Sequence, residues 1–130
     1  MVLRCSEFLR RALLADAVVS GATAAALVAF AGVLEALFGV SATLLRYVGL
    51  ILLPFAAVVL AFALRSGITR RSIQVIIVCN ALWAVDSILL LFTGWLEPTL
   101  VGYAFIAGQA LIVAAFAELQ YVGLRRSALA

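Results

Sequence analysis

Four apolar segments, residues 13–34, 44–64, 73–92 and 99–119, dominate the chain. Each is close to the roughly 20 residues that an α-helix needs to cross a hydrocarbon core about 30 Å thick at about 1.5 Å rise per residue. The links between them, 35–43, 65–72 and 93–98, are short and carry Gly39, Gly67, Gly94 and Pro98, so consecutive helices become antiparallel neighbours. A water-soluble alternative fails on composition, because 68% of the 130 residues are hydrophobic and only 12% charged, so a globule of this size would expose most of its apolar surface. Two prolines and nine glycines exclude collagen-like chains, and the wealth of aliphatic residues excludes disorder. The expected fold is all-α: an integral membrane four-helix antiparallel bundle, a single transmembrane domain over residues 1–130. No internal repeat or linker divides it.

The arginines set the expected orientation. Arg4, Arg10, Arg11, Arg65, Arg70, Arg71, Arg125 and Arg126 fall on one side of a four-span bundle and Arg46 alone on the other. Cytoplasmic flanks are enriched in Lys and Arg, so both termini are expected in the cytoplasm, in a bacterial inner membrane. The first segment reads as a retained span, being too long for a signal-peptide core. The net charge of +3 is scattered singly and in pairs between apolar runs, which is no footprint for nucleic acid.

Polar residues within the spans are the functional candidates, because desolvation makes each one costly without a partner. Asn80 and Gln109 both fall near the middle of their spans, where their amides are expected to bond across a helix interface. Asp86 lies in the outward half of the third span and Arg46 in the same half of the second, so an Arg46–Asp86 ion pair is expected. Asn80, Trp83 and Ser87 share one helical face with Asp86 at its flank, a face expected to point into the bundle with the Trp83 indole N–H bonded to a neighbour. Asp16 and Glu118 fall near the cytoplasmic ends, where salt bridges with neighbouring arginines account for them. Tyr47 and Trp95 belong to the outer interface and Tyr121 to the inner one.

Small residues predict close packing. Ala17, Gly21, Ala25 and Ala29 recur every four residues on the first span, and Ala104 and Gly108 repeat the spacing on the fourth. Pro54 should kink the second span. Cys5 and Cys79 are expected to be reduced.

With no histidine and no lysine, imidazole and amine chemistry is absent, and there is no phosphate-binding glycine loop or metal-spaced cysteine pair. No cofactor, metal site or catalytic residue is expected. Two readings of function follow. One is a non-enzymatic protein acting through helix contacts, as a homo-oligomer or as the accessory subunit of a partner in the lipid bilayer. The other is a small transporter or proton-linked carrier using Asp86, Arg46, Asn80 and Gln109 around a mid-membrane cavity beside Pro54.

The runs LLADAVVSGATA at 13–24, LLRYVGLILLPFA at 44–56, NALWAVDSILLLFTGW at 80–95 and AELQYVGLRR at 117–126 resemble a group of uncharacterised small proteobacterial four-helix inner-membrane proteins. The resemblance covers nearly the whole chain and implies location and topology alone. In span count the chain is also similar to DoxX-like and SPW-type small membrane proteins. It resembles the small multidrug resistance transporters in size, but they carry a membrane-embedded Glu in the first span, whereas this span has no acid between Ala17 and Leu34.

Overall fold

The computed structural model describes residues 2–129. Four long helices form the body: α1 (Glu7–Ala29), α3 (Ala42–Ala63), α4 (Arg70–Phe92) and α5 (Leu100–Arg126), with a short α2 (Ala31–Phe38) between the first two. All four are long and apolar enough to cross a membrane. Their outward surface suits a lipid solvent, with side chains such as Leu111 at 69% exposure and Val18 at 65%.

Each long helix begins where a hydroxyl side chain captures a free backbone N–H. Ser6 accepts from Leu9, Ser41 from Leu44, Thr69 from Ser72 and Thr99 from Gly102. α1 starts six residues before the expected span and ends at Phe30, where the chain turns; the segment expected to run on to residue 34 continues as α2. Gly39, at φ 71°, closes α2 in the left-handed region. Thr99 then joins the links at that end, its N–H donating to the Phe38 carbonyl (2.9 Å) and its hydroxyl to that of Leu37 (2.6 Å).

The other end holds a feature the periodicity did not reveal. Three short strands, β1 (Val2–Arg4), β2 (Gly67–Thr69) and β3 (Ala128–Leu129), form an antiparallel sheet in the order β2-β1-β3. Leu3 pairs with Ile68 on one side and Leu129 on the other. Leu3 and Ile68 are buried over a core of Leu9, Leu13, Ile73 and Leu124. Arg10 strengthens this sheet end by donating to the carbonyls of Ala63 and Arg65 (both 3.0 Å), which satisfies free acceptors just past α3.

α1 is the hub, packed along α3 and against α5, while α4 leans chiefly on α5. Close approaches occur at glycines, among them Gly102, which lies against the Phe38 carbonyl. A Cβ on Gly49 would lie 2.7 Å from Val28 Cγ2 and 2.9 Å from the Ala24 carbonyl oxygen, and one on Gly123 would lie 2.8 Å from Leu9 Cα. The stripe expected on α1 is only half used: Ala17 is buried and Gly21 faces Ala56, while Ala25 and Ala29 are exposed. Ala104 and Gly108 do not bring another helix close; nothing lies within 4 Å of a Cβ built on Gly108.

At the sheet end Val59 and Ala63 of α3 and Ile73 and Ile76 of α4 belong to one core cluster, together with Leu9, Leu13 and Leu124. The core cluster at the far end draws on α1, α2, α3 and α5, with no residue of α4. The far halves of α3 and α4 therefore stand apart, and a groove lies between them.

Candidate functional site

The groove holds two adjoining cavities of about 600 Å³ and 290 Å³. α1, α3, α4 and α5 all line the larger, whose walls are mainly apolar and aromatic, with Phe55, Phe105 and Phe116 contributing. Ala104 and Gly108, lacking bulk, hollow out the α5 wall. Polar groups are few and clustered: Ser20, Thr23, Asn80, Trp83, Asp86 and Gln109. A concave, mostly apolar site with a few converging polar groups is the usual form of a small-molecule pocket.

A buried polar cluster backs the cavity, and Asp16 is its centre. Asp16, Asn80 and Gln120 are 0%, 3% and 0% exposed. The Asp16 carboxylate accepts from the Ser20 hydroxyl (2.9 Å), from Asn80 Nδ2 (2.8 Å) and from Gln120 Nε2 (2.7 Å), and Asn80 Nδ2 also donates to Gln120 Oε1 (2.9 Å). This ties α1, α4 and α5 together without a cation. The expectation of an interfacial Asp16 bridged to arginine is corrected: because α1 begins at Glu7, Asp16 sits nine residues, about 14 Å, into the helix and faces its neighbours. Glu118 is exposed, and the ion pair among the described residues is Arg11–Glu7 at 3.5 Å.

The Asn80–Gln109 pairing is also corrected. Asn80 reaches Gln120, and Gln109 lies eleven residues, about 16 Å of helix rise, further along α5. There its Oε1 accepts from Trp83 Nε1 (2.9 Å) while its Nε2 donates to the Ile106 carbonyl (3.0 Å). Ser87, half-buried, donates to the Trp83 carbonyl (2.7 Å) and lines the smaller cavity.

Arg46 and Asp86 do not pair. Both are exposed, on helices that stand apart at this end. Asp86 lines both cavities, and no arginine lines either. Pro54 lies within α3 on its exposed side; its neighbours Leu52 and Phe55 reach the cavity instead. Of the two free cysteines, Cys79 is exposed beside the groove and Cys5 is buried at the sheet end.

Two members of the polar cluster, Ser20 and Gln120, were not singled out from sequence, though a signal existed. Ser20 lies one turn beyond Asp16, and eleven residues at about 100° each bring Gln120 back to within about 20° of Gln109 on the same face of α5. Comparisons with protein-family models, with curated proteins and with solved structures find no significant match.

Proposed function

We propose that this multi-pass membrane protein resides in a bacterial inner membrane with both termini in the cytoplasm, and that it is a carrier of a small, largely apolar molecule held in the groove between α3 and α4. The gathering of eight arginines toward the sheet end supports the orientation. One observation carries the function: a cavity of about 600 Å³, walled by four helices, in which Asp86, Asn80, Trp83 and Gln109 face an otherwise apolar interior. The reading is non-enzymatic, since the chain has neither histidine nor lysine.

Native mass spectrometry of the protein taken from its own membrane in lipid nanodiscs tests this. A small molecule bound to the wild type and lost from Gly108→Leu, whose side chain would project into the cavity, supports the carrier reading. A protein that carries no small molecule, or a Gly108→Leu variant that retains it, overturns it.

A second reading, in which the chain acts through helix contacts as a homo-oligomer or accessory subunit, is favoured by Ala25 and Ala29, which leave a small-residue surface exposed on α1. A stoichiometric partner chain that dissociates in Ala25→Leu supports it, and a wild type that is monomeric in the same spectra overturns it.

A further inference from the structure

We propose that the occupant of the groove is an organic cation with an apolar arm on each side of its charge, an inference that rests on the carrier reading and gives its ligand a chemical class. The two cavities share a waist, and the residues common to both include Thr23, Leu52, Trp83, Asp86, Phe105 and Gln109. Among the described residues, Asp86 is the one acidic or basic side chain lining either cavity. It sits six residues, about 9 Å, before the end of α4 and takes part in no ion pair among the described residues. An acid on a membrane-length helix calls for a countercharge, and Arg46 does not supply one.

The neighbouring groups favour a cation over an anion. Trp83 Nε1–H is engaged by Gln109, one Gln109 Nε2–H by the Ile106 carbonyl, and the Asn80 Nδ2 hydrogens by Asp16 and Gln120, so what remains for an anion is neutral and sparse, the Thr23 hydroxyl and the second Gln109 Nε2–H, with no cationic side chain among the described lining residues. Asp86, by contrast, offers an uncommitted carboxylate. Trp83 and Phe105 line both cavities with Asp86, and an aromatic ring attracts a desolvated cation that lies over its face. On either side lies an apolar compartment: Phe55 and Phe116 line the larger, while Phe38, stacked on Phe105 at 4.5 Å between ring centroids, lines the smaller. The charge of the ligand thus belongs at its middle.

The test uses the full chain with Trp95→Phe, which leaves Trp83 as the sole indole, in nanodiscs of zwitterionic phosphatidylcholine. Trp83 fluorescence reports the binding of dibenzyldimethylammonium, of its neutral isostere 2,2-dibenzylpropane and of the one-armed benzyltrimethylammonium. The expected result is saturable binding of the two-armed cation, about tenfold or more tighter than either comparator, with Asp86→Asn bringing its affinity down to that of the isostere. Equal affinity for cation and isostere, or a preference that survives Asp86→Asn, overturns the inference. If both probes bind equally and Gly108→Leu abolishes both, the groove reading stands and the cation falls; if neither binds the wild type, this ligand class is wrong, and native spectra of the protein from its own membrane decide the groove separately. A one-armed probe that matches the two-armed one removes the second compartment from the ligand's shape.

Discussion

The sheet-end half of the bundle and the far half each carry an acid within a membrane-length helix, and they treat it in opposite ways. Asp16 is enclosed, accepting from three neutral donors on three helices; Asp86 faces a groove with no partner. The contrast follows packing. In the half where one core cluster draws on both α3 and α4, Asp16 is held by amides of α4 and α5; in the far half, whose cluster has no residue of α4, Asp86 has no ion-pair partner among the described residues. An acid that knits helices together and an acid that lines a groove therefore differ in what surrounds them more than in depth.

The largest effect expected is on stability at Asp16. Asp16→Leu should cost about 3 kcal/mol, because it removes the acceptor of three buried hydrogen bonds and leaves amide donors unmatched, whereas Asp86→Leu, which removes an acid with no partner among the described residues, should cost nothing and raise stability by about 1–3 kcal/mol. Reversible unfolding in mixed micelles measures both, and equal losses would break the comparison. Glycines sharpen it next. Gly123→Ala, which drives a methyl group against Leu9, should cost about 1–3 kcal/mol, while Gly108→Ala, whose methyl group meets open space within a helix, should stabilise by about 0.4–1 kcal/mol. Trp83→Phe should lose about 0.6–1 kcal/mol with its bond to Gln109, and a larger loss would make the groove wall as rigid as the buried cluster.

The smallest effect concerns the thiols. Burial pushes the Cys5 thiol above its ordinary pKa, opposed by Arg10 and reinforced by Glu7. The reactive thiolate is therefore scarce near pH 8, and alkylation of Cys5 in micelles should lag behind that of Cys79, gaining about tenfold per pH unit below the raised value. By the same sign, the stability linked to a protonated Cys5 is present below the ordinary thiol value and is lost as pH rises through the raised one. Mass-resolved labelling at each cysteine follows this, and a Cys5 that reacts as fast as Cys79 would make the sheet end as open as the groove.

The helices were legible because their signal is length and hydrophobicity, which lipid imposes on any spanning segment. Their start points were less so: Ser6 and Thr69 announce α1 and α4, but a hydropathy window passes over single hydroxyls. Side-chain pairing was read poorly because it depends on register. Arg46 and Asp86 are matched in depth yet parted by the divergence of α3 and α4, and divergence is a property of the whole core. Likewise, small residues on α5 could equally admit a helix or leave a hollow, and the sequence does not distinguish Gly108, which faces open space, from Gly123, which meets Leu9. The strands escaped notice because three residues give no alternation to detect.

That sheet has a mechanical consequence. It fastens together the start of the chain, its end and the link between α3 and α4, so those two helices behave like the arms of tweezers joined at one end by a rivet. Any change in their spacing must be greatest at the tips and vanish at the joint. Deleting residues 2–4 would remove the central strand and leave the six-residue link 64–69 as the tie between the two arms at that end.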